Sequence, residues 1–163
     1  LGSSPQSGAD LAARLVALVD RVTRRMRSSG RAGRTVTLRL RFGDFSRASR
    51  SRTLPHVTDG TGAILAAARI LLGAAAPMIE RRGITLIGVA VTNLAGRGYG
   101  AQLELPLDRP LDAALDAAID EVRDRFGPDS IRRGASLARD PGLSPWLRPG
   151  EEPPSPEPPA AGA

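Results

Sequence analysis

The chain has 163 residues, which is enough for one domain with a hydrophobic core. Because it has no cysteine and a single histidine, His56, its composition excludes a disulfide framework and metal sites built from thiolates or several imidazoles. The net charge is +6, and residues 1–56 carry twelve Arg against three Asp, which makes this basic half a candidate surface for binding a polyanion.

No uninterrupted apolar run approaches the roughly 20 residues of a membrane span, and residues 1–10 lack the basic and apolar regions of a signal peptide. We therefore expect a cytoplasmic protein with no membrane partner. The chain does not begin with Met, which suggests a fragment of a longer protein or an unusual start. We expect residues 1–9 to be a flexible N-terminus.

Residues 10–29 form the first predicted helix, because apolar side chains recur there at helical spacing. The residues of this core-facing stripe are Leu11, Leu15, Leu18, Val19, Val22 and Met26. The helix arginines fall largely on the remaining surface, and they are Arg14, Arg21, Arg24, Arg25 and Arg27. Of these, Arg24 and Arg25 are candidate contacts for a bound polyanion, with a plain solvated face as the equal alternative.

A basic β-hairpin is predicted next. Residues 34–42 alternate with a period of two, which directs Val36, Leu38, Leu40 and Phe42 to one face and Arg39 and Arg41 to the other. Gly43-Asp44 predicts a tight two-residue turn, after which Phe45 to Leu54 return as a polar strand. The candidate phosphate-binding residues of this hairpin are Arg34, Arg39, Arg41, Arg47, Arg50 and Arg52. The alternative is that these charges only protect a strand edge from aggregation.

The following segment predicts a second helix and a third strand. Asp59 or Thr61 is the expected N-cap of a helix that runs to Gly83. Ile84 to Leu94 is typical of a well-buried strand, and Ala95 to Gly100 is a turn-prone separator.

A third helix is predicted from Leu111 to Phe126, followed by a short strand over Ser130 to Leu137. The expected apolar side of this helix consists of Leu111, Ala114, Leu115, Ala118, Ile119 and Val122. Its acids, Asp112, Asp116 and Asp120, are interpreted as a solvated face rather than a metal site.

The predicted fold class is α+β, with a small mixed or antiparallel sheet covered on one face by two helices, a C-terminal helix and a disordered tail. The expected domains are a polyanion-binding domain at residues 10–95, a linker at 96–107 and a helical extension at 108–140. Residues 141–163 are rich in proline and offer no core, so we expect a disordered tail there.

The order helix, strand, strand, helix, strand, with Arg34 to Phe45 leading into Ser49 to Leu54, resembles the little-finger domain of Y-family DNA polymerases. The Asp-x-x-x-Asp-x-x-Arg-x-Arg-Phe-Gly ending of the third helix looks like actinobacterial DNA polymerase IV. The resemblance covers roughly residues 10–140. It implies an accessory domain of a translesion polymerase that binds the DNA backbone without reading sequence.

Residues 102–107 resemble the bacterial sliding-clamp-binding peptide, with a Gln and spaced leucines. The candidate clamp-binding residues are Gln102, Leu103, Leu105, Pro106 and Leu107, and an ordinary strand or helix-leading segment is the alternative. The implied partners are DNA, the sliding clamp and, where one is supplied elsewhere, a polymerase catalytic core.

The chain departs from the resemblance in three ways. No counterpart of the metal-binding carboxylates of the polymerase palm is found, so we assign no catalytic residues and no metal ligands to this chain, and magnesium enters only with a separate core. Thr85 and Ala90 stand where the family often has basic residues, and residues 1–8 do not predict the strand that usually precedes the first helix. A standalone or vestigial protein that binds the clamp and regulates polymerase access is therefore the alternative function.

Overall fold

The computed structural model describes residues 8–96 and 110–134, and their α+β architecture confirms the predicted fold class. The predicted clamp-binding peptide and the predicted tail lie outside the described residues. The elements are α1 (Gly8–Ser28), β1 (Arg31–Phe42), β2 (Arg47–Thr58), α2 (Thr61–Arg82), β3 (Ile84–Thr92), β4 (Ala95–Gly96) and α3 (Pro110–Phe126).

The sheet is antiparallel, with β1 between β2 and β3 and with β4 pairing the first residues of β1. The four apolar residues predicted for the inner face of β1 are confirmed, since each is at most 3% exposed. Helices α1 and α2 pack on this face and bury Leu15, Val19, Ile64 and Ala68 against it. Burial of this apolar surface is the main stabilising contribution to the domain.

The turn between β1 and β2 has one residue more than the sequence suggested. Phe42 N donates to Ser46 O (2.9 Å) and Phe45 N donates to Phe42 O (3.0 Å), so Gly43, Asp44 and Phe45 form a three-residue loop. Phe45 takes the left-handed conformation (φ 63°) that the third position of such a loop requires. The predicted two-residue turn is therefore wrong, and β2 begins at Arg47.

Strand β3 is less buried than predicted. Ile84 is buried, but Thr85, Leu86 and Thr92 are exposed and residues 87–91 are half-buried, because β3 lies at one edge of the described sheet. The expected separator also begins differently, since Ala95 and Gly96 form β4 and pair with Ala32 and Arg31. The predicted domain boundary at residue 95 falls inside this short strand.

Helix α2 begins after Gly60, which makes no side-chain cap bond, so neither Asp59 nor Thr61 is the N-cap. Within the described ranges, α2 is the one helix long and apolar enough by length and composition to cross a membrane. Arg69 interrupts its apolar sequence, so α2 is not an uninterrupted apolar run. Length and composition are weak evidence for a span, and the buried residues of α2 belong to the core of the domain.

Helix α3 turns its charged side toward the domain and leaves apolar residues outside, the opposite of the predicted orientation. Leu111 and Leu115 are 83% and 49% exposed, whereas Asp116 is 2% exposed. Ile119 is the residue of the predicted apolar side that is buried. The interpretation of Asp116 and Asp120 as a solvated face is wrong, because arginines of other segments neutralise both carboxylates.

A network of ion pairs attaches α3 to α1 and α2. Arg27 Nε donates to Asp120 Oδ2 (2.6 Å) and its Nη1 lies 3.3 Å from Asp116 Oδ2, so Arg27 is not on the solvated helix surface where it was predicted. The same Asp116 oxygen accepts from the backbone N–H of Thr61 (2.8 Å) and so caps the N-terminus of α2. Burial alone would lower the pKa of Arg27, but the hydrogen bond to Asp120 and the charges of Asp116 and Asp120 outweigh it and raise the pKa.

The residues that follow α3 run back along this helix, toward the N-terminus of α3. Arg123 donates from Nε and Nη2 to the carbonyl of Ile131, and Arg133 forms ion pairs with Asp20 and Asp116. Residues 130–134 therefore do not form the predicted strand, and the rest of that prediction lies outside the described residues. Asp116 and Arg123 of α3 are therefore both paired with residues of α1 and of this returning segment.

Candidate nucleic-acid interface

The face of the sheet opposite α1 and α2, here called the outer face, is fixed by strand register. Side chains of directly paired residues in an antiparallel sheet point to the same face. Arg41 pairs with Arg47 and Leu86, Arg39 with Ser49 and Gly88, and Thr37 with Ser51 and Ala90. These residues lie on the outer face because they alternate with the buried residues of β1.

Three of the predicted phosphate-binding residues come together on this face, and we call Arg39, Arg41 and Arg47 the outer-face arginines. Arg39 and Arg47 are exposed and Arg41 is half-buried. No carboxylate of residues 8–96 or 110–134 forms an ion pair with any of the three. Guanidinium groups without internal counter-ions can donate bidentate hydrogen bonds to phosphate oxygens.

Arg50 and Arg52, also predicted to bind phosphate, do not share this face. A two-residue turn would pair Thr37 with Arg50, whereas the observed partner of Thr37 is Ser51 and Arg50 pairs with the buried Leu38. A register change of one residue moves each side chain of a strand to the opposite face. Arg50 and Arg52 therefore lie on the helix side of β2, where they stay exposed because β2 is an edge strand.

The remaining predicted arginines lie away from the outer-face arginines or make internal contacts. Arg34 is exposed, and its Nε donates to Leu54 O (2.8 Å). Arg24 forms an ion pair with Asp124 of α3 (2.8 Å), and Arg25 is exposed near the end of α1. Because α1 covers the inner face, Arg24 and Arg25 do not join the outer-face surface.

Small and hydroxyl-bearing side chains extend the outer face beyond the arginines. The Thr37 and Ser51 hydroxyls are 2.8 Å apart, and those of Thr35 and Thr53 are 3.2 Å apart. These side chains leave the surface low enough for a polymer backbone to approach the strands. Ala90 is one of these small outer-face residues, since it pairs with Thr37. The Thr85 hydroxyl donates to the carbonyls of Arg41 and Phe42.

The tip of the hairpin carries a feature that the sequence analysis missed. Phe45 is 74% exposed, and the Arg41 guanidinium lies over its ring, 5.0 Å from the centroid. Asp44 accepts hydrogen bonds from the Ser46 hydroxyl and Ser46 N–H, which lower its pKa, and its other oxygen pairs with Arg82 (3.2 Å). The aromatic residue directly after Gly-Asp was the available signal.

Two other features of the described segments offer no competing chemical site. No group of three or more His, Asp or Glu side chains among these segments could hold a metal ion. A groove of about 590 Å³ opens between α1 and α2. Its lining is largely apolar and includes Leu11, Leu15, Leu72 and Ile79, without a convergent set of polar groups.

Comparison with known proteins places the chain in a family. Residues 2–105 match the model of the impB/mucB/samB family C-terminal domain. The chain is 41% identical over 123 residues to a DNA polymerase IV of Moorella thermoacetica, which covers 76% of the chain and 30% of that protein. It is 36% identical over 108 residues to DNA polymerase IV 2 of Mesorhizobium japonicum, which covers 66% of the chain and 26% of that protein.

A DNA polymerase IV of Streptomyces coelicolor is 42% identical over 78 residues, 48% of the chain and 16% of that protein. The chain thus spans less than a third of the length of each of these relatives. The match over residues 2–105 includes α1, α2 and the whole described sheet. The chain belongs to the impB/mucB/samB C-terminal domain family, the C-terminal domain of Y-family translesion DNA polymerases.

Proposed function

We propose that this chain binds the backbone of duplex DNA through the outer face of its sheet, as the accessory domain of a translesion polymerase. The observation that carries the proposal is the presence of the outer-face arginines on one open surface without a carboxylate partner in the described segments. Contacts of this kind hold a protein on DNA but do not read base sequence. We expect binding that is indifferent to sequence.

The family supports a role beside a polymerase catalytic core, with DNA repair and translesion synthesis as the process and the cytoplasm as the location. The curated relatives named DNA polymerase IV are several times longer than the matched region, so any catalytic core lies in other parts of such proteins. The ending of α3 supports the actinobacterial type of this polymerase.

The test is the salt dependence of duplex binding by the 163-residue chain. Each phosphate neutralised contributes about −0.9 to the slope of log affinity against log salt concentration, so three outer-face arginines imply a slope of about −3 or steeper. Fluorescence anisotropy of a labelled duplex across a salt series measures it. A standalone regulatory protein that binds only the clamp would show no measurable duplex binding at low salt.

We further propose that residues 102–107 tether the chain to the bacterial sliding clamp. The support is the sequence pattern Gln102-Leu103-Glu104-Leu105-Pro106-Leu107 and its place at the C-terminal end of the region that the family model matches, residues 2–105. In the bound peptide, Gln102 would donate or accept a hydrogen bond and the leucines would fill an apolar pocket.

Replacing Leu105 and Leu107 together with Ala should remove most of the clamp affinity, because a short peptide depends on a few buried anchors. Surface plasmon resonance on immobilised clamp measures the affinity, and Glu104→Ala is the control expected to bind nearly normally. Thermal unfolding should be unchanged. If the leucines instead belong to the domain core, each replacement would cost about 2–5 kcal/mol and the melting temperature would fall.

A further inference from the structure

Phe45 is an exposed aromatic residue held in an unfavourable backbone conformation. The residue is 74% exposed, and its φ of 63° lies in the left-handed region that glycine and asparagine favour. Neither apolar burial nor backbone preference accounts for a phenylalanine at this position. Strained positions of this kind concentrate at functional sites.

The loop that carries Phe45 is fixed to the rest of the domain. Asp44 pairs with Arg82 at the end of α2, and the Gly43 N–H donates to Arg82 O (3.3 Å). The bonds from Ser46 to Asp44 close the loop on its other side. Phe45 is therefore presented by a rigid support, so little conformational freedom remains to be lost when its ring contacts a partner.

The surroundings of the ring favour a nucleic acid over an apolar protein pocket. Arg41 lies over the ring, and Arg47 is the cross-strand neighbour of Arg41. Arg82 lies on the other side of the loop, paired with Asp44. An aromatic ring among guanidinium groups matches a ligand that has both phosphates and flat, polarisable bases.

We propose that Phe45 stacks on an unpaired base where the duplex bound by the outer face passes into single strand. This inference rests on the proposed function, because the outer-face arginines would hold the adjoining duplex. Bases inside a duplex have both faces covered by their neighbours, so only an unstacked base can accept the ring. Stacking needs no particular base, and the contact would select a DNA junction rather than a sequence.

The test compares two probes with the 163-residue chain. One is a duplex whose two ends are closed by non-nucleotide linkers, so that it has no unpaired base, and the other is the same duplex with a single-stranded overhang carrying 2-aminopurine at the first unpaired position. Phe45→Ala should weaken binding to the overhang probe by about 5- to 100-fold and abolish the fluorescence change, with little effect on the closed duplex. For Phe45→Ala, the slope of log affinity against log salt concentration should stay unchanged, because no charge is removed.

Two further variants identify the kind of contact. Phe45→Trp should keep the preference for the overhang, whereas Phe45→Leu, which is apolar but cannot stack, should lose it. Full rescue by Leu, or an equal loss on both probes, would overturn the inference. An unchanged overhang affinity in Phe45→Ala would also overturn it, including where that variant loses binding to the clamp or to another protein.

The failure of the inference and the failure of the proposed function have different signatures. If the wild-type chain binds the closed duplex with the expected salt slope but Phe45→Ala behaves as wild type, only the junction contact is wrong. If the wild-type chain does not bind the closed duplex, the proposed function itself is wrong. Thermal unfolding of Phe45→Ala and of Phe45→Gly, which relieves the positive φ, controls for damage to the loop.

Discussion

Replacing Asp116 with Ala should destabilise the domain by about 3–5 kcal/mol, because it leaves the buried Arg27 guanidinium without one of its counter-ions. The variant also removes the acceptor that caps the first turn of α2 at Thr61. Asp116 is only 2% exposed and is shared by Arg27, Arg133 and the Thr61 N–H, so water cannot replace it without opening the contact between α3 and α1. Urea unfolding followed by circular dichroism measures the loss.

Asp124→Ala is the matched control for this prediction. Asp124 lies on the same helix and pairs with Arg24 of the same partner helix, but its side chain is 74% exposed. An exposed pair of this kind contributes up to about 1 kcal/mol. Hydrogen exchange gives a local readout, since the Thr61 amide should lose protection in Asp116→Ala and keep it in Asp124→Ala. Similar stabilities of the two variants would contradict the assignment of α3 as an ion-paired part of the domain.

Replacing the outer-face arginines together with Ala should reduce DNA affinity strongly and flatten its salt dependence. Loss of three phosphate contacts should bring the slope of log affinity against log salt concentration about 3 units closer to zero. The three side chains make no ion pair with a carboxylate of the described segments, so their removal should leave the melting temperature nearly unchanged. Anisotropy titrations at several salt concentrations measure the effect.

The control is a second triple variant that removes the same number of positive charges from the helices on the other side of the sheet. Arg21, Arg69 and Arg81 are exposed on α1 and α2, and their joint replacement with Ala also removes three positive charges. If net charge alone attracts DNA, both triple variants should lose affinity equally. The proposed interface requires the outer-face variant to lose most of it and the control to lose little.

Much of the fold followed from periodicity, because hydrophobic spacing depends directly on which face is buried. The period of two in β1 predicted its inner face correctly, and the helical stripe of α1 gave most of its buried residues. The hairpin register did not follow, since Gly-Asp favours a two-residue turn and Phe45 is an uncommon residue for the third loop position. The one additional loop residue determines which face of the sheet carries Arg50 and Arg52.

The orientation of α3 could not be predicted from its own sequence. Apolar residues normally face the core, so the sequence of α3 considered alone predicts that Leu111 and Leu115 are buried. Both are exposed. The helix instead packs through Asp116 and Asp120, because Arg27 and Arg133 approach from distant parts of the chain. Long-range ion pairs of this kind leave no periodic signal in the segment itself.

Protection of single cysteines by DNA tests the central claim most directly, since the chain has no natural cysteine. Ser49→Cys introduces a thiol on the outer face opposite Arg39, and Ala66→Cys introduces one at an exposed position of α2. Alkylation rates are measured by mass spectrometry with and without saturating duplex DNA. We predict that DNA slows the alkylation of Ser49→Cys and leaves that of Ala66→Cys unchanged; equal rates at Ser49→Cys with and without bound DNA would contradict binding through the outer face.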